Sequence, residues 1–145
     1  MIYASFASAP VPSTPLVGDG GSAYQPGVCN IGPAEIARRR RAGHVGLGTT
    51  AVLLAVLRGL HTPPLVRLLV ALPAALAASG YLQASLRFCA GFGSRGVFNF
   101  GPLGQTEQVV DDAAHARDRA RANQISLASL AIGLVVGALA VLLPL

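Results

Sequence analysis

Lysine and tryptophan are missing from this chain of 145 residues, and charged side chains make up only 12% of it. A soluble domain carries roughly twice that share. Hydrophobic residues reach 52%, more apolar surface than so short a chain can bury in a core of its own. A bilayer accounts for the excess. All eleven basic residues are arginine, which reflects a GC-rich coding bias more than a function. Cysteine is also scarce. Cys29 and Cys89 are too few for a disulfide framework or a cysteine zinc site. The N-terminal Met1-Ile2-Tyr3-Ala4-Ser5-Phe6 has neither the charge nor the sustained apolar run of a secretory signal. Asp, Glu and Lys are absent from the apolar spans, whereas a proton or ion pathway would usually need them there. A transporter working alone is therefore not expected.

What is present is organised around Leu68 to Leu86, nineteen residues without a charge between Arg67 and Arg87. That length crosses a hydrocarbon core as a helix. A first span is expected from about Ala42 to Leu60, after a short helix that starts at Pro33 and is closed by Arg38, Arg39, Arg40 and Arg41. His61-Thr62-Pro63-Pro64 turns the chain, and Pro73 is expected to kink the second span. A third span, Ile125 to Leu145, should continue a polar-side helix capped by Thr106, with Val109, Ala113, Ala116 and Ala120 on its inner face. Residues 1–28 form an arm rich in Pro, Ser and Gly. It reads as a disordered tail, or as an extended strap anchored by Tyr3, Phe6 and Tyr24. The domains are then an arm (1–28), a transmembrane hairpin with a Phe/Gly-rich interfacial segment (29–104), and a cytoplasmic helix with the third span (105–145). The fold class is all-α.

Orientation follows from arginine. With the N-terminus cytoplasmic, Arg38 to Arg41, Arg87, Arg95, Arg117, Arg119 and Arg121 lie inside, and only Arg58 and Arg67 lie outside. The expected location is the plasma (inner) membrane, multi-pass, with the C-terminus on the opposite side. Both cysteines then face a reducing compartment. The net charge of +5 is explained by topology and anionic headgroups, and nucleic acid is not expected as a partner.

Few motifs point to chemistry. Gly91-Phe92-Gly93-Ser94-Arg95-Gly96 fits G-x-G-x-x-G, but a dinucleotide site needs a strand before it and a βαβ unit around it. An irregular segment at headgroup level, with phenylalanines dipping into lipid or a neighbour, is the plainer expectation. Cys29 and Cys89 are candidate reactive thiols. Cys89 lies between Arg87 and Arg95, and cationic neighbours make a thiol more reactive; the alternative is a small packing residue. His44, His61 and His115 are not placed to face one another at one depth, as haem ligation in a bundle requires, so no cofactor or metal is expected.

Packing is the strongest positive signal. Ser129, Gly133 and Gly137 recur at four-residue spacing in the third span; Ala42, Gly46 and Thr50 do so in the first, and Ala74 and Ala78 in the second. Small residues so spaced let membrane helices meet closely, within the chain or with another subunit.

Asn30-Ile31-Gly32, then Glu35, Arg38 or Arg39 and Gly43, and later Phe88-Cys89, Gly96-Val97 and Asn99, resemble the small YgaP-type transmembrane domain over about residues 29–100. The resemblance implies a two-helix membrane hairpin, found alone or attached to a rhodanese sulfurtransferase domain. The long arm, the third span and the lack of a rhodanese domain depart from that pattern. The sulfurtransferase activity belongs to the missing domain, so no catalytic residue carries over.

The function expected from these features is non-enzymatic: a small accessory or structural subunit of a larger membrane complex, in contact with other membrane subunits and lipids. The alternatives are a thiol- or sulfur-linked membrane protein using Cys89 and Cys29, and a free homo-oligomer.

Overall fold

The computed structural model describes residues 24–143. Most of the sequence-based arm, including Tyr3 and Phe6, lies outside them. Among the described residues, three helices are long and apolar enough to cross a membrane: Pro33–Gly59, Pro64–Ser85 and Asp112–Leu142.

The first, α1, is one uninterrupted helix over Pro33–Gly59, 27 residues, about 40 Å at 1.5 Å per residue. Pro33 occupies its first turn and Glu35 sits at its positive end. The expected break after the four arginines does not occur. Arginine is a good helix former, and consecutive arginines spread around the axis and do not stack on one face. The helix closes in a Schellman turn: His61 donates to the Arg58 carbonyl and Thr62 to that of Leu57. His61 takes the left-handed position (φ 52°) where glycine is usual.

The second long helix begins as a 3₁₀ helix, Pro64–Val70, and becomes α-helical as α2, Ala71–Ser85. Pro73 falls in the first turn of α2, where a missing N–H costs little. The irregularity expected at Pro73 lies instead before it, in the 3₁₀ segment. A second Schellman turn ends α2, with Arg87 donating to Ala84 and Phe88 to Gln83. Arg87 is the left-handed residue here (φ 52°).

Between the second and third long helices, the chain builds a cap. It comprises a short helix α3 (Ala90–Arg95) and a two-residue antiparallel pair, β1 (Val97–Phe98) with β2 (Glu107–Gln108). Among the described residues, the pair is a strand element that the all-α expectation lacked. It occupies the stretch where a Thr106-capped helix was expected. Helix α4 starts instead at Asp112 and runs to Leu142. Asp111 caps it, accepting from the amides of Ala113 and Ala114 at 3.2 and 3.1 Å.

Helix α2 is the middle of a layer. It packs against α1 on one side and α4 on the other, while α1 and α4 hardly meet. The α1–α2 seam is built on glycine. A methyl at Gly80 would lie 2.5 Å from the Gly43 nitrogen, and one at Gly46 would lie 2.7 Å from that of Ala77. The α2–α4 seam places Gly133 against Ala71 and Ala75, and Gly137 against Ala71. Leu47, Val52, Leu72, Leu76, Leu134 and Leu139 are exposed on the outer surfaces.

Candidate functional site

The polar end of the layer is knitted together by a short extended segment, Asn30-Ile31-Gly32. The Asn30 side chain bonds both ways with Cys89: its Oδ1 accepts from the Cys89 amide at 2.7 Å and its Nδ2 donates to the Cys89 carbonyl at 3.1 Å. The Asn30 amide donates to the Arg87 carbonyl, its carbonyl accepts from the Asn99 amide, and the Gly32 amide donates to the Asn99 carbonyl. Asn30, Asn99 and Cys89 are almost wholly buried. Gly32 has a specific reason to be glycine, since a methyl there would meet the Phe100 Cα at 2.9 Å. The residues that carry the sequence resemblance (Asn30, Gly32, Cys89 and Asn99) are thus brought into one junction.

Beneath that junction lies a charged group. Glu35 is 1% exposed, and its carboxylate oxygens are 3.7 Å from Arg38 and 3.8 Å from Arg39. Arg39 reaches further and donates from Nη2 to the Cys89 sulfur at 2.9 Å. Its guanidinium also lies 5.9 Å from the Phe92 ring centroid. The cation on the thiol is therefore Arg39, one helix away, and not Arg87 or Arg95 as sequence proximity suggested. Arg95 folds back to the Gly91 carbonyl. Cys29 and Cys89 are both buried. Cys89 packs with Ile31 and Phe92.

The phenylalanines expected to dip into lipid do something else. Phe88 is fully buried with Ala122 and Ile125, and Phe92 is buried beside Cys89. The G-x-G-x-x-G glycines lie on α3 and its end. Gly93 lets the Asp118 carbonyl and the Phe88 ring approach, and Gly96 takes a left-handed φ of 68°.

A second polar centre was missed in the sequence. Asp118 is fully buried. It accepts from the Tyr24 hydroxyl at 2.8 Å and from the Gly27 amide at 2.6 Å. Pro26-Gly27 forms the turn that presents that amide, with Gly27 at φ 73° and the Val28 amide donating to the Gln25 carbonyl. Tyr24 also stacks on Phe98 with centroids 4.6 Å apart. Burial, then the bond to Asp118, pushes the Tyr24 hydroxyl pKa well up from 10.0. The inner face of α4 is Ala114, Asp118, Ala122, Ile125, Ser129, Gly133 and Gly137; Ala113, Ala116 and Ala120 are exposed. The expected face was wrong by a rotation. Stepping the Ser129–Gly133–Gly137 stripe backwards by fours and threes would have reached Ala122, Asp118 and Ala114.

The small residues singled out in the sequence sit as follows. Gly46, Thr50, Ala74, Ser129, Gly133 and Gly137 are buried within the chain. Ala78 is half-buried, and Ala77 and Gly80 occupy the seam in its place; likewise Gly43 stands where Ala42 was expected. The buried hydroxyls of Thr50 and Ser129 both donate to the carbonyl four residues back, at 2.7 Å. Arg38 to Arg41, Arg117, Arg119 and Arg121 all lie at the cap end, where α1 and α4 both begin. His44 Nδ1 and the Tyr81 hydroxyl are 2.6 Å apart, tying α1 to α2, and His115 lies against Gly96. Among the described residues no cluster of His, Cys, Asp and Glu is arranged to hold a metal.

Two kinds of open space remain. One is a groove of about 460 Å³ at the cap end between the start of α1 and the end of α2, edged by Arg40, Ser85, Arg87 and Phe100. The other kind is shallow and apolar, and includes a groove of about 420 Å³ between α1 and α2 and one of about 470 Å³ between α2 and α4. The two apolar grooves share Leu76 and Ser79 as their dividing ridge. Comparison with protein-family models, with curated proteins and with solved structures returned no match.

Proposed function

We propose that this chain is a small, non-enzymatic accessory or structural subunit of a larger membrane assembly. The observation that carries this reading is the open layer. Helices α1 and α4 flank α2 without closing on each other, so the three spans enclose no passage. One face presents two apolar grooves beside the Leu76–Ser79 ridge, a surface suited to ridges-into-grooves packing with helices of other subunits. The glycine stripes are engaged inside the chain, so the partner contact is assigned to this grooved face and not to Gly133 and Gly137. The arginine-rich cap end lies on the cytoplasmic side in this reading.

The test is a photo-crosslinker at Leu76 or Ser79 in the tagged full chain, with Leu47 as an off-groove control, followed by native electrophoresis in mild detergent. Crosslinks from the ridge to a defined set of membrane proteins are expected. Crosslinks only to a second copy would replace the reading with a homo-oligomer, and none to protein would remove it.

A thiol-linked role is the second reading, favoured by the Arg39 guanidinium placed on the Cys89 sulfur. Cys89 is 1% exposed, so this role requires the cap to open. Cys89→Ser should then alter a redox or sulfur-transfer phenotype at unchanged protein abundance; a wild-type phenotype makes Cys89 a packing residue.

A further inference from the structure

The cap-end groove differs in character from the apolar grooves on the layer. Its lining mixes apolar Ile36 and Ala84 with Arg40, Arg87 and Ser85. Neither guanidinium has a hydrogen-bond or ion-pair partner among the described residues. No acidic side chain among them lines the groove. The nearest acid in sequence, Glu35, is buried and flanked by Arg38 and Arg39. The groove also runs past Gly32 and Pro33, at the start of α1, whose dipole adds positive potential. The Schellman turn meanwhile occupies the carbonyls of Gln83 and Ala84 at the negative end of α2.

Arg87 adds a second argument. It holds the left-handed C′ position, where a Cβ costs roughly 1 kcal/mol over glycine. His61 holds the same position at the end of α1, so the conformation alone marks no site; what distinguishes Arg87 is its guanidinium on the groove. The α1 side of the groove ends at Arg40, five residues before exposed Val45. That is about 7.5 Å along the helix, the depth of a headgroup layer above the hydrocarbon.

We infer that this groove binds a phosphate group, held between Arg40 and Arg87 with Ser85 as a further donor. Two sources share that chemistry: the phosphodiester of an anionic lipid, whose glycerol and upper acyl carbons would lie against Ile36 and Ala84, and a soluble phosphoester. Guanidinium forks suit phosphate oxygens in either case.

The experiment uses the full chain in mild detergent and measures binding of fluorescent phosphatidylglycerol against phosphatidylcholine. Preference for phosphatidylglycerol is expected, falling about fivefold for each of Arg40→Gln and Arg87→Gly and remaining unchanged in Arg119→Gln, which loses the same charge on α4. Arg87→Gly relieves the backbone, so it should fold at least as well as the parent, and thermal unfolding confirms this. Competition then separates the sources. Displacement by millimolar glycerol 3-phosphate assigns the site to a soluble phosphoester, and failure to displace assigns it to lipid. Binding that is equal in the parent, the Arg40→Gln/Arg87→Gly double variant and Arg119→Gln overturns the inference.

Discussion

Gly80→Ala puts one methyl where the α1–α2 seam has no room for it. The new Cβ would stand 2.5 Å from the Gly43 nitrogen, 2.7 Å from the Gly43 Cα and 2.8 Å from the Arg39 carbonyl oxygen. All three are backbone atoms, so no rotamer change relieves the overlap. Carbon needs roughly 3.5 Å, so α1 must retreat by about 1 Å, and the neighbouring Gly46–Ala77 contact loosens with it. Overpacking of this kind costs about 1–3 kcal/mol. Alanine recovers about 1 kcal/mol of helix propensity, leaving a net loss of up to about 2 kcal/mol. Gly48 is the control. It lies on the same helix pair, and nothing stands within 4 Å of its absent Cβ, so Gly48→Ala should be neutral or up to about 1 kcal/mol more stable. The assay is SDS titration of the chain in mixed micelles, followed by helical circular dichroism. The seam would be wrongly assigned if Gly80→Ala proved as stable as Gly48→Ala.

Three further outcomes are expected. Asp118→Ala removes two bonds to a buried carboxylate, each about 1.5–3 kcal/mol, and should release residues 24–27; unchanged hydrogen exchange at the Gly27 amide would refute this. The Tyr24 hydroxyl has its pKa raised in the folded chain, so its contribution is fully present below the unfolded value of 10.0 and is lost as pH rises beyond it. Docking of the segment should therefore be flat through neutral pH and weaken above about 10, and a Tyr24→Phe chain that weakens to the same extent would show the phenol is not responsible. Both thiols should resist a maleimide in the folded chain and react once SDS unfolds it, since both are buried; rapid labelling of Cys89 in the folded protein would contradict its 1% exposure.

The three long helices were legible because apolar length is a strong, local signal. The fourfold spacing of Ser129, Gly133 and Gly137 likewise pointed to a helix contact, though not to which helix would fill it. The cap was hard to read for a physical reason. Its order comes from contacts distant in sequence: Asn30 with Cys89 is 59 residues apart, and Tyr24 with Asp118 is 94 apart. No periodicity encodes those. Asp118 sits among Arg117, Arg119 and Arg121, and a charge in such company reads as solvated. Its burial depends on donors that the arm delivers. Thr106 looked like a cap, but Asp111 offers the same chemistry closer to the apolar face, and the β1–β2 pairing takes up the intervening residues. The groove between Arg40 and Arg87 could not be seen at all, because those arginines meet only after the hairpin has closed.

The bond from Asp118 to Gly27 has a consequence for the order in which the chain is made. Synthesis runs from the N-terminus, and early elements fold as they emerge. The α1–α2 hairpin can close its glycine seam as soon as Ser85 is in place. The turn at residues 25–29 cannot be fastened then, because its acceptor is still unmade and Phe88 has neither Ala122 nor Ile125 to cover it. The earliest described stretch of the chain is thus the last to be locked, and the lock arrives with the third span. A ribosome-arrested chain ending before Asp118 should carry a formed hairpin beneath an open, protease-sensitive head.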